Sequence, residues 1–299
     1  MGSILIHAAE QGFAYGIAAL GVFITFRILR FPDLTVDGSF VTGAAIASSL
    51  LTSMGVDPFL ALAVAFGAGC VAGAVTGLLH TRLGITDLLA GVLSMIMLYS
   101  INLRIMGKPN ISLLRVTTLS DVVEKALSPL GAVALLVVLA GLTFLIKLVL
   151  DAFFRTEFGL ALRATGDNEA MIVSQGVNTK SMKVFGLALS NGLVAMSGAL
   201  VAQYSGFADV GMGVGTIVTG LAAVIVGGSL IRSRRIGWMT ASVLVGSLIY
   251  RVAVMFALRY GYLIGFQASD LKLVTSLIVI VALVIPTVRE RLMRKVGSC

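Results

Sequence analysis

The side chains able to do acid–base, metal or nucleotide chemistry are few in this sequence, and they stand apart. His7 and His80 are isolated, with no second His or Cys at ligand spacing, so no metal site is expected. Cys70 in an apolar stretch and Cys299 at the terminus form neither a disulfide framework nor a metal-ligand pattern. The stretch 176–181, GVNTKS, comes nearest to a phosphate-cradling loop but lacks the Gly-Lys pair and follows no strand. Nucleotide binding by this chain is therefore not expected. The acids Glu10, Asp33, Asp37, Asp87, Asp209 and Asp270 fall at the ends of apolar segments or in loops, where Asp33 reads as a helix cap and Asp37 as a loop anchor. An ion-coupled carrier places such groups inside its spans, and a channel needs a filter motif or a charge ring. Neither pattern is visible. The spacing of the carboxylates relative to His and nucleophilic residues does not lead us to expect a catalytic site.

A second group of polar residues interrupts otherwise apolar segments: Ser94, Tyr99, Ser100 and Asn102, then Ser190 and Asn191, and finally Arg251. At such positions polar side chains either line a translocation path or make interhelical hydrogen bonds of about 0.6–2 kcal/mol. Arg251 near mid-span must face a cavity, snorkel or find a partner, because a charge at the bilayer centre costs about 2.5–3.5 kcal/mol on insertion scales. A solute carboxylate, an interhelical anchor and an interfacial placement all satisfy that need. Tyr250 and Tyr260 beside it read as interfacial aromatics.

The elements that must position these residues are membrane spans. Of 299 residues 58% are hydrophobic and only 12% charged, about half the charge of an ordinary soluble domain. Apolar runs lie at about 11–27, 39–54, 58–80, 87–103, 130–150, 182–203, 215–231, 236–258 and 271–288, long enough for an all-α bundle of about nine transmembrane helices (range 8–10). The second and seventh are short and rich in Gly, Ser and Thr. The N-terminus lacks a basic region before its apolar run, so a cleaved signal peptide is not expected. With the N-terminus outside, only Arg104, Lys108, Arg115, Lys125, Arg259 and Lys272 lie on the outer side and Arg251 within a span. All other Lys and Arg fall on the cytoplasmic side, the C-terminus included. The same bias accounts for the net charge of +8 without a nucleic-acid partner. Gly69, Gly73 and Gly77, with Ala65 in register, form a small-residue stripe suited to close helix packing, within the chain or between subunits.

The informative exception to hydropathy is 151–183, DAFFRTEFGLALRATGDNEAMIVSQGVNTKSMK. Its chemistry predicts a short helix capped by Asp167 or Asn168, with Glu169 in the first turn and Gly176 as a left-handed stop. Ala170, Met171 and Val173 would give that helix an apolar side. The pattern Gly159, Arg163, Ala164, Gly166, Asn168, Gly176, Val177 resembles the cytoplasmic loop of ABC-importer permeases of the branched-chain amino acid and ribose type, although Met171 and Ile172 stand where small residues are usual. FPDLTVDGSFVTGAA at 31–45, with Asp37-Gly38, is similar to another segment of that family. TDLLAGVLSMIMLYSINLRIMGKPN at 86–110 resembles the subgroup associated with tryptophan/tyrosine-type transport systems.

The resemblance implies one permease domain over 1–299, a multi-pass protein of the bacterial inner membrane. Within it, 155–177 would be the loop whose coupling helix docks on an ATPase subunit, with Gly159, Arg163, Ala164, Gly166, Asp167, Asn168, Glu169, Ala170, Met171 and Gly176 as its residues. The implied partners are an ABC ATPase dimer that uses ATP and Mg, a periplasmic or lipoprotein binding protein, a second permease copy and membrane lipid. This chain itself would bind no cofactor. The implied solute is small, an amino acid and first of all an aromatic one.

Overall fold

A computed structural model describes residues 2–126, 133–231, 233, 235–262, 273, 276, 277, 279, 280 and 284. Eight long helices are described: α1 (Gly2–Phe23), α2 (Thr35–Met54), α3 (Pro58–Thr81), α4 (Asp87–Met106), α6 (Ala134–Phe153), α9 (Thr179–Ser205), α10 (Thr216–Leu230) and α11 (Ile236–Tyr262). The short elements are β1 (Asn110–Ser112), α5 (Leu119–Ala126), α7 (Glu157–Asp167), α8 (Glu169–Ser174) and β2 (Phe207–Asp209). β1 and β2 pair antiparallel, Ile111 opposite Ala208. The bundle thus has a hairpin end, with β1, β2 and α5, and a loop end, with α7 and α8.

Six helices among the described residues are long and apolar enough to cross a membrane: Leu5–Ile28, Pro58–Thr81, Asp87–Met106, Ala134–Phe153, Thr179–Ser205 and Ile236–Ala257. The chain is an α-helical multi-pass membrane protein. The second and seventh sequence runs differ from these for physical reasons. α2 is diluted by Ser, Thr, Gly and Asp37, and its middle, Gly38 to Ser48, is buried by other helices at every position but Ile46. α10 has only 15 residues, about 22 Å at 1.5 Å per residue, against a hydrocarbon core of about 30 Å. The ninth run, 271–288, lies mostly outside the described residues.

Between α1 and α2 the chain reverses inside the bundle. α1 continues as a π-helical turn, Ile24–Ile28, and Arg30 takes the left-handed conformation at φ 53°. Pro32 follows, and α2 begins at Thr35. The reversal carries Asp33 inward, where it is 2% exposed, and Asp37 into the first turn of α2.

α9 is the central helix, and the small-residue stripe faces it. A Cβ on Gly69 would stand 2.3 Å from the Asn191 carbonyl oxygen, on Gly73 2.1 Å from that of Leu187, and on Gly77 2.7 Å from the Val184 Cα. The stripe is thus an intramolecular α3–α9 seam in which backbones meet. α10 and α11 meet the same way: a Cβ on Gly227 would be 1.9 Å from Ser242 O and one on Gly246 2.0 Å from Ala223 O.

Candidate functional site

Two places concentrate the polar residues singled out from sequence. The first is the loop end. Thr156 caps α7 by accepting from Gly159 N, and Asn168 caps α8 by accepting from Met171 N at 3.1 Å. Gly176, at φ 85°, ends the segment in the left-handed region that a side chain would disfavour. α7 lies flat on the bundle through Gly159, Leu162 and Thr165, which are buried. Gly166 lets it approach so closely that a Cβ would be 1.8 Å from the Ile28 carbonyl oxygen. Two ion pairs hold the corner: Arg30 to Asp167 at 2.8 Å and Lys183 to Glu169 at 2.8 Å. The hydrogen bond from Lys183 keeps the Glu169 carboxyl below its ordinary pKa.

A helix of two turns is marginal in water, and the Lys183–Glu169 pair supports α8 alongside its cap. Only Ile172 of α8 is buried. Met171 and Val173 are 55% and 54% exposed, and Ala170 is exposed as well. α8 thus presents an apolar side to solvent on a buttressed turn. Beside it lies an open cleft of about 700 Å³ lined by Arg27, Arg30, Arg163, Ala164 and Asp167.

The second place is inside the bundle, where the acids were not expected. Asp33 accepts from Thr35 N at 2.9 Å and from Asn191 Nδ2 at 2.7 Å, near the middle of α9. Asp37 accepts from Gly215 N at 2.9 Å and Ile217 N at 2.8 Å. Asp33 is therefore buried in the helix packing and Asp37 half-buried in it, each holding backbone N–H groups at the start of a helix. Glu10, 2% exposed, is a third such acid and accepts from Tyr204 Oη. Sequence reading missed this depth because the π-helical turn and the left-handed Arg30 carry no hydropathy signal.

Asp37 anchors more than a loop. Its carboxylate caps α10, whose first turn lies beside the first turn of α2, and a Cβ on Gly213 would be 2.1 Å from Asp37 O. Two helix N-termini thus converge on one carboxylate, which their dipoles favour. An open cavity of about 330 Å³ lies here, lined by Asp37 and Gly38 of α2, by Met95, Ile96, Tyr99, Ser100 and Asn102 of α4, and by Val210 and Val214. Asn102 is fully buried, donates to Gly38 O at 3.2 Å and leaves its Oδ1 without a partner among the described residues.

Of the residues marked for a translocation path, Tyr99 and Asn102 line this cavity together with Ser100. The others do not: the polar atoms of Ser94, Ser190 and Asn191 are engaged within the bundle, and Arg251 has a buried Nε without a hydrogen-bond partner among the described residues. Ser94 accepts from Thr76, Ser190 donates to Gly21 O at 2.7 Å, and Asn191 bridges Asp33 and Ser39. Arg251 stacks its guanidinium 3.3 Å from the Tyr15 ring centroid, an interhelical anchor between α11 and α1. Tyr250 is not interfacial: it is 3% exposed and packs with Ala222, Val254 and Val279. The Tyr260 side chain lies outside the described residues. No group of three or more His, Cys, Asp or Glu among the described residues is placed to hold a metal.

Comparison with known proteins places this geometry in context. The family model for the permease component of branched-chain amino acid transport systems matches residues 4–285. A tyrosine transport system permease protein of Clostridioides difficile is 43% identical over 276 residues, covering 92% of this chain and 89% of that one. An uncharacterized protein of Rickettsia prowazekii is 34% identical over 94% of this chain and 97% of its own length. A probable branched-chain amino acid transport permease of Methanocaldococcus jannaschii is 26% identical, over 62% of this chain and 61% of its own. No solved structure matches the chain.

Proposed function

Because this chain belongs to the family of permease components of branched-chain amino acid transport systems, we propose that it is the membrane subunit of an ATP-driven importer for an aromatic amino acid. The observation that carries the coupling half of this reading is α8. Its exposed Met171 and Val173 stand on a corner held by Asn168, Gly166 and the two ion pairs. A rigid apolar tip of this kind fits a groove on an ATPase subunit, so that a groove movement of a few ångströms is passed through α7 to α9 and the end of α1. The sequence carries no phosphate-binding loop of its own. ATP and Mg then belong to that subunit.

In this reading the loop end is cytoplasmic, in agreement with Arg27, Arg30, Arg82, Arg155, Arg163, Lys180 and Lys183 gathered there. The hairpin end then faces a binding protein that delivers the solute, in the inner membrane of a bacterium. Solute passes the cavity beside Tyr99 and Asn102. A second copy of the chain would enclose that cavity, because α4 leaves Leu93, Ile96 and Tyr99 exposed around it. The aromatic solute is supported by the 43% identity to a tyrosine transport permease.

The test is uptake of labelled tyrosine into vesicles reconstituted with this chain, its ATPase subunit and its binding protein. Uptake that requires all three components and hydrolysable ATP is the expected result. Uptake that persists without the ATPase, driven by an ion gradient, would assign the chain to another transport class.

A further inference from the structure

The cavity between α2, α4 and residues 210–215 has a chemistry more specific than a passage for any small solute. We propose that it is a subsite for the ammonium group of an amine-bearing apolar solute, held by the Asp37 carboxylate and Asn102 Oδ1. The proposal rests on the permease reading above and narrows its solute.

Three features of the cavity carry it. First, the wall holds a carboxylate but no base: among the described residues neither Lys, Arg nor His pairs with Asp37. The Asp37 oxygens accept backbone N–H groups from Gly215 and Ile217, with the Thr216 N–H a third donor, and an ionised carboxylate has acceptor capacity for about one more. The α10 dipole offsets the charge only in part, being equivalent to about half an elementary charge. Second, Asn102 Oδ1 is an acceptor in a fully buried residue with no donor among the described residues. Buried polar groups left open in this way call for a partner from outside the chain. An ammonium group brings three donors and a positive charge, which match two acceptors on the lining of one cavity, one of them a carboxylate without a basic partner among the described residues.

Third, the rest of the wall is apolar. Val41, Met95, Ile96, Val210 and Val214 surround the polar corner, with the Tyr99 ring at the rim. At about 330 Å³ the cavity is at the small end of ligand pockets, which run from about 300 to 1,000 Å³. A single amino acid suits that volume. With no basic residue in the wall, an anion that lacks an amine has nothing to hold it. The solute carboxylate would lie toward the Ser100 and Tyr99 hydroxyls at the open side.

The experiment uses the complex of this chain with its ATPase subunit in lipid nanodiscs, in a Cys70→Ser, Cys299→Ser background that carries Ile96→Cys. Ile96 lines the cavity and is 57% exposed, so a hydrophilic maleimide should label a cysteine there. Protection from labelling is measured with L-tyrosine, with tyramine (amine, no carboxylate) and with 3-(4-hydroxyphenyl)propionate (carboxylate, no amine). Tyrosine and tyramine are expected to protect at similar concentrations. The propionate should need about tenfold more or fail entirely, because a site built around hydrogen-bond donors of the ligand rejects an analogue without them. Asn102→Leu should remove most of that discrimination while thermal stability stays near the parent's.

Equal protection by tyrosine and the propionate would overturn the proposal. So would no protection by any probe while the same complex still drives ATP-dependent tyrosine uptake with its binding protein; the importer reading would then stand alone. Amine-dependent protection in a complex that shows no ATP-driven uptake would support the subsite and refute the importer reading.

Discussion

Asn191 and Ser190 are adjacent on α9, and the geometry predicts that their replacement has very different consequences. Asn191→Ala removes the donor to Asp33 Oδ2 at 2.7 Å and the acceptor of the Ser39 hydroxyl at 2.7 Å. Asp33 is 2% exposed, so its freed oxygen has no water to turn to. Leaving a buried acceptor unsatisfied costs about 1–3 kcal/mol, and a neutral interhelical hydrogen bond averages about 0.6 kcal/mol. Together they set the expected loss at about 2–4 kcal/mol. Ser190→Ala removes one bond to the Gly21 carbonyl and should cost about 0.6 kcal/mol. Reversible denaturation of the purified chain in mixed micelles, followed by helical circular dichroism, measures both. Equal small effects, below about 1 kcal/mol each, would refute the view that Asn191 ties α9 to the reversal after α1. The affinity of transport for solute should be unchanged in Ser190→Ala, since Ser190 is remote from the cavity-lining residues.

Other substitutions probe the remaining joints. Gly73→Leu drives side-chain atoms into the Leu187 backbone, 2.1 Å from the position of a Cβ, and should destabilise by about 1–3 kcal/mol or more in the same assay; Gly67→Ala, with nothing within 4 Å, should be silent. Tyr15→Leu should destabilise more than Arg251→Met, because the first leaves a guanidinium stranded and the second removes the charge with its need. The Glu169 carboxyl is held below its ordinary pKa by Lys183, so the pair's contribution is complete above the ordinary carboxylate pKa. It fades as pH falls through the lowered value. Amide exchange in α8, corrected for intrinsic rates, should therefore quicken in acid; Glu169→Gln should show that faster exchange already at neutral pH, and identical profiles for the two proteins would contradict the assignment.

The residues themselves explain which parts of this structure were legible in sequence. Eight of the nine apolar runs coincide with helices, because burying an apolar stretch away from water dictates helix whatever the neighbours do. The α8 cap and its stop were equally local, requiring only Asn168 and Gly176, and the glycine stripe pointed to a close seam. What sequence could not supply was depth. Asp33 and Asp37 sit at the ends of a hydropathy window, yet a π-helical turn and one left-handed residue, Arg30, fold them into the bundle. Their partners Asn191, Gly215 and Ile217 lie more than 150 residues away, beyond the reach of any local pattern. The same distance hid the cavity, which joins α2 and α4 to the segment before α10. Tyr250 misled for a related reason, since a tyrosine near a span's polar residue looks interfacial until the helix beside it is known.

The claim on which the functional account turns is that α8 passes the movement of an ATPase to the bundle, and charge placed on its exposed apolar side tests it most directly. Met171→Glu combined with Val173→Glu alters only residues that are more than half exposed, so the unfolding transition of the purified chain should stay within about 0.5 kcal/mol of the parent's. In vesicles with the ATPase subunit and binding protein, the account predicts that solute-stimulated ATP hydrolysis and uptake both collapse, and that the ATPase no longer co-purifies. Full uptake and an intact complex from this double variant would contradict it.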